Sequence, residues 1–279
     1  MLKQTKNKME KILFLLKLEW LKIRSYRPFW VLAGAYVVIM ACFMPFIRSI
    51  KIPKEVFDIN TALMFPNVWH NFAFWGNWAA FFSIGFLSVL SITNEFEYKT
   101  LRQSVISGLS RTDAFLSKVL FIVSLSVLAT IVYVFFALIF GSLTTETIYA
   151  DRVTEGFSWM GNFFVMCLGF SSFALFLGTL LRRSGVSLFL FLTWEFFIEP
   201  IIRYAFHYRL ITHNETMHYY PMKAFNSLVP VPIPRMASKM VNDGDVSYVL
   251  DTNTAMIVAI IYIGLLLFGT YYLLKNRDL

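Results

Sequence analysis

The sequence predicts an all-α polytopic membrane protein with six transmembrane helices, an N-terminal interfacial helix and a cytoplasmic helix between spans 2 and 3. Two observations carry this. Hydrophobic residues fill 57% of the 279 positions, charged residues only 15%, and the mean hydropathy is +0.61; ordinary soluble domains carry about 25% charge. Uncharged runs at 28–47, 72–93, 119–145, 156–181 and 255–274 each supply the ~20 helical residues that cross a bilayer core. A sixth run, about 186–206, is interrupted by Glu195 and Glu199 but is otherwise dense in Phe, Leu and Ile. The expected spans are about 28–47, 72–93, 115–143, 157–181, 186–206 and 254–274, within one membrane domain covering 1–279.

An even number of spans places both termini on one side, and the positive-inside bias says which. Sixteen Lys and Arg fall in 1–27, 94–118, 182–185 and the tail after 274, against nine in the opposite loops, where nine acids cancel them. Both termini are therefore expected in the cytoplasm. The basic surplus is a topology signal and needs no nucleic-acid partner. No cleavable signal peptide is expected, because the first apolar stretch contains Lys11, Lys17, Lys22 and Arg24 and no small-residue cleavage site follows. Cys42 and Cys167 fall inside spans and read as packing residues.

Residues 10–24 form an amphipathic helix whose Ile12, Leu13, Leu16, Trp20 and Ile23 share one face, suited to the inner interface. Arg27-Pro28 breaks it before the first span. The outer loop 48–71 holds Pro53, Pro66 and Trp69, and Trp69, Trp75 and Trp78 read as an interfacial belt. The loop 146–155 is short and acidic. The third outer segment, 207–253, contains a Pro-rich run at 229–234 that cannot continue a helix; it is expected to pack over the outer mouth. His207, His213 and His218 lie there with Glu215, but without the His-Glu-x-x-His spacing that holds zinc, so no metal site is expected.

Between spans 2 and 3 lies a charged island. Glu95, Glu97, Lys99 and Arg102 alternate with apolar residues up to Gly108, a helix stop, after which Ser110 or Thr112 caps the third span near Asp113. The pattern Glu95-x-Glu97-x-x-Thr100-Leu101-Arg102, then Gly108-Leu-Ser-Arg111 and Lys118, resembles the segment between spans 2 and 3 of ABC-2 type transporter permeases. Many members carry Gly before the Thr and Pro before the Ser-Arg pair, where this chain has Lys99 and Leu109.

The resemblance implies a coupling helix that enters an ATPase. Glu95 and Glu97 would face basic groups of that partner, Thr100, Leu101 and Arg102 would continue the helix into its groove, and Arg111 would close the segment. It further implies two ABC ATPase subunits, a second permease copy or relative, a bacterial cytoplasmic membrane, and export of a hydrophobic or amphipathic substrate (peptide, lipid-linked or drug-like). This chain has no Gly-x-x-x-x-Gly-Lys-Ser/Thr phosphate loop. No cofactor is expected in it; ATP and Mg would belong to the partner.

Glu195, Glu199 and Arg203 are spaced four apart and stack on one helical face. At a 1.5 Å rise from Val186, Glu195 lies roughly 14 Å into the core, where a carboxylate costs about 2.5–3.5 kcal/mol, so this face should meet protein or water. Three readings compete: a Glu199–Arg203 pair with Glu195 hydrogen-bonded to a neighbouring span, a polar lining of a transport route or dimer seam, and a pair of catalytic carboxylates. The last would make the chain an intramembrane hydrolase or transferase. Pro200 removes one helical hydrogen bond, which predicts a kink and a candidate hinge after Glu199.

Overall fold

Breaks in the chain fall where proline, glycine and capping residues put them. The computed structural model describes residues 2–49, 59–210, 214–232 and 250–277; His213 and the last two residues of the Pro-rich run, Ile233 and Pro234, lie outside this set. Helix α1 (Leu2–Arg24) turns at Ser25–Tyr26 into α2 (Arg27–Ser49), the first span, with Pro28 in its first turn, where a missing N–H costs nothing. The second span is α3 (Asn67–Glu97), with a π-helical turn at Phe81–Gly85. A short helix, α4 (Thr100–Ile106), leads to α5 (Arg111–Thr144), the third span. The fourth and fifth spans are α6 (Ser158–Leu181) and α7 (Ser184–Leu210). A short helix, α8 (Pro221–Ser227), precedes the sixth span, α9 (Thr252–Asn276). Six helices are thus long and apolar enough to cross a membrane, and the described elements are all helical.

Helices α3 and α6 form the centre. Their apolar windows are 67% buried, against 17% for α7 and 22% for α9, which expose most of theirs. Helix α6 packs on α9, α3, α5 and α7, and its small residues permit the approach. At Gly178 a Cβ would stand 2.5 Å from Ile92 of α3, and at Gly169 it would stand 2.6 Å from the Phe225 ring of α8. Both contacts require the missing side chain.

Two sequence expectations are corrected. Trp69 is no belt residue: it lies in the first turn of α3, is fully buried, and donates from Nε1 to the Val153 carbonyl at 3.0 Å. The face of α1 that meets protein is Leu15, Glu19 and Ile23, while Leu13, Phe14, Trp20 and Leu21 point outward. Protein-facing and lipid-facing sides cannot be told apart by apolarity when the solvent itself is apolar.

Candidate functional site

At the end carrying both termini, the segment between α3 and α5 is built by three local devices. Lys99 takes a left-handed conformation (φ 57°) between α3 and α4. That geometry suits glycine and costs an L-residue about 1–2 kcal/mol, which accounts for the glycine many ABC-2 permeases place there. Helix α4 then stops in a Schellman motif: Gly108 (φ 105°) donates to the Val105 carbonyl at 3.1 Å and Leu109 donates to Ser104 at 3.0 Å. Finally, the Ser110 hydroxyl accepts from the Asp113 N–H at 3.1 Å and starts α5.

Only Leu101 of α4 is buried. Arg102, Gln103 and Ile106 are exposed, Ile106 by 76%, and Tyr98 just before the helix is 70% exposed. The result is a short helix rooted by one leucine, with an apolar and cationic outer face.

Of the charged residues expected to meet a partner, Glu95 turns inward, whereas Glu97 and Arg102 stay exposed. Glu95 is 4% exposed and lies in a closed network with Glu19, Lys22 and Lys118. Lys118 Nζ is 2.7 Å from both Glu19 Oε2 and Glu95 Oε1, and Lys22 Nζ is 2.6 Å from Glu95 Oε1 and 3.2 Å from Glu19 Oε1. Lys118 also donates to the Ser91 carbonyl, and the Ser117 hydroxyl donates to Glu19 at 3.0 Å. Two carboxylates thus alternate with two ammonium groups, and α1, α3 and α5 are tied at one point. Burial pushes the Glu19 carboxyl up, but the charges of Lys118 and Lys22 outweigh it and hold the group below its ordinary range.

Glu97 serves the fold as well: its Oε1 accepts from the Ser184 N–H at 2.8 Å and hydroxyl at 2.6 Å, capping α7. Arg111 donates to the carbonyls of Leu274, Lys275 and Arg277, closing the C-terminus of α9, where a cation suits the helix dipole. Thr100 is half-buried beside the charge network.

The face on α7 is also rearranged. Glu199 makes no ion pair with Arg203 among the described residues. Its carboxylate accepts from the Met222 N–H at 3.0 Å, the Lys223 N–H at 2.7 Å and Trp194 Nε1 at 3.2 Å. These two backbone donors are the first that α8 offers after Pro221, so Glu199 caps α8 from another element. Glu195 Oε1 accepts from the Asn226 amide at 2.9 Å, and Asn226 Oδ1 accepts from Asn77 of α3 at 2.8 Å.

Arg203 instead donates to the Tyr204 hydroxyl at 3.2 Å and lies over its ring; its Nε, like Oε2 of Glu195, is buried with no hydrogen-bond partner among the described residues. Lys223 lies close by, its ammonium pushed down by burial and by the charge of Arg203. Around Pro200 the helix is π-wound on both sides, at Trp194–Ile198 and Ile202–His207. That winding absorbs the lost hydrogen bond. Among the described residues no three His, Cys, Asp or Glu group as a metal site.

Sequence reasoning missed Glu19, Lys22 and Asn226. The one available signal was Glu19, the lone acid among residues 11–24, which are otherwise basic and apolar; Asn226 carried none. A family model described as ABC-2 family transporter protein matches residues 15–198, well over half of the chain. No curated protein matches it. The match takes in α2 to α6, the segment bearing α4 and the first half of α7, and with six membrane-length helices in place the chain belongs to the ABC-2 family as a multi-pass transport component.

Proposed function

We propose that this chain is the permease subunit of an ATP-driven exporter in a bacterial cytoplasmic membrane, with 1–279 acting as one membrane domain and both termini cytoplasmic. Two ATPase subunits bind ATP and Mg, and a second copy or a relative completes the membrane half. The exported substrate is hydrophobic or amphipathic. Sixteen basic residues at the terminal side against nine opposite support the orientation. The lack of a phosphate loop in the sequence assigns nucleotide to a partner.

The observation that carries this reading is the outer face of α4, where Tyr98, Arg102, Gln103 and Ile106 stand exposed on a helix rooted by Leu101. This face, and not Glu95 or Arg111, is the docking surface. Closure of the two ATPase subunits pushes on α4, and the charge network carries the displacement into α1, α3 and α5 as a rigid-body motion. Pro200, between two π-wound turns, is the hinge of α7.

The test is affinity purification of the full chain from its native membrane. Arg102→Glu combined with Ile106→Asp should insert normally and lose the co-purifying ATPase activity. Retention of that activity in the double variant would overturn the docking assignment, and a wild-type chain that brings down no ATPase would overturn the subunit reading.

A further inference from the structure

A cavity of about 220 Å³ lies where α1 turns into α2, enclosed by the nearby ends of α3 and α5 and the first residue of α4. Its walls change polarity with depth. Along α3, Leu87 and Leu90 lie toward the bilayer centre and Asn94 and Tyr98 toward the exit of the helix, a course of roughly 16 Å at 1.5 Å per residue. Phe121 of α5 extends the apolar half, and Thr100 extends the polar one. A ligand with a polar head and an apolar tail, oriented as in the leaflet at this end, matches that gradient.

The polar half also specifies the head. Lys22 is the accessible cation of the charge network, its side chain 28% exposed against 2% for Lys118. Among the described residues both ammonium contacts of Glu95 fall on Oε1, and Glu95 lines the cavity beside Lys22. A cation and a carboxylate oxygen therefore stand side by side at the polar mouth. A head that is only anionic would bring like charge against Glu95, whereas one that joins a phosphate to an ammonium answers both groups. Phe29 of the cavity wall adds a third observation. Trp20, Phe29 and Trp30 meet edge to face at 5.3–6.3 Å, with Trp20 and Trp30 about half exposed. Such rings anchor at headgroup level.

We propose that this cavity binds an aminophospholipid of the adjacent leaflet. Its phosphate lies on Lys22 and Asn94, its ammonium on Glu95, and its upper chain along Leu87, Leu90 and Phe121. The bound lipid touches α1, α3, α4 and α5 together, and so sets the position of α4.

The experiment uses the full chain in mild detergent, stripped of lipid and titrated by native mass spectrometry with three lipids of identical chains. These are phosphatidylethanolamine, phosphatidylcholine, whose methylated ammonium donates no hydrogen bond, and phosphatidylglycerol, which has no ammonium. The first should be retained about ten-fold more than the others, the scale of one charge-assisted hydrogen bond. Leu90→Trp fills the cavity without touching the charges and should abolish that preference. Should Leu90→Trp not fold, Asn94→Leu removes the amide and should lower retention likewise. Equal retention of the three lipids by the wild-type chain, an undiminished preference in folded Leu90→Trp, or undiminished retention in folded Asn94→Leu would overturn the proposal. Glycerophosphoethanolamine, the same head without chains, should not compete; competition at equal concentration would assign the site to a water-soluble ligand and overturn the lipid.

Discussion

Lys118 shows what a single residue decides here. Its ammonium is buried between two carboxylates, and removing it leaves both buried acids sharing the single ammonium of Lys22. Breaking a buried pair in this way costs about 3–5 kcal/mol, so Lys118→Met should lower the unfolding midpoint in detergent sharply. Lys22→Met, at a more exposed position, should lower it less. Glu19 adds a pH dependence. Its folded pKa lies below the unfolded value, so its contribution is full above about pH 4.3 and is lost as the pH falls through the folded value. The midpoint of the wild-type chain should therefore drop as the pH falls below about 4.3, with a shallower drop in Glu19→Gln. Parallel curves would detach the acid sensitivity from this carboxyl.

At the scale of elements, the governing device is capping across the chain. Helix α8 has only seven residues, too short to persist alone, and its first free N–H groups are satisfied by Glu199 on α7. A buried donor left unpaired costs about 1–3 kcal/mol. Glu199→Leu should accordingly abolish hydrogen-exchange protection at Met222 and Lys223, while Glu199→Gln, which keeps one acceptor oxygen, should retain part of it. Unchanged protection in Glu199→Leu would show that packing of Phe225 on α6 holds α8 unaided. Glu97 and Arg111 play corresponding roles at the other end, fastening α7 and α9 by their termini. Substitutions at these residues should disturb helix ends.

The whole molecule has a buried pair of spans surrounded by exposed ones. Helices α2, α7 and α9 bury only 28%, 17% and 22% of their apolar windows. In line with the second membrane subunit proposed above, the chain purified in mild detergent should have a protein mass of twice 32.4 kDa by light scattering. A mass of one chain in the complex with its ATPases would remove the homodimer and leave a relative as the second half.

The class of fold, the number of membrane-length helices and the glycine stop before Ser110 were legible in the order of residues alone. Each is a property of a contiguous stretch: hydropathy sums over neighbours, and Gly108 answers to its own backbone angle. The family was also within its reach, because the pattern around Thr100 and Arg102 is local. Tertiary structure alone decided which charges are free. Glu95 and Arg102 look alike in sequence, two charged residues on one short segment, yet Glu95 pairs with Lys22, 73 positions away, while Arg102 stays exposed. The Glu195–Glu199–Arg203 stack was legible, but its partners were not. An oxygen four residues from an arginine on the same helix found better donors in the backbone of α8, more than twenty residues further along. Hydrogen bonds of that separation depend on where packing brings the elements, and packing in a membrane is set by shape and small residues such as Gly169 and Gly178, which carry no hydropathy signal.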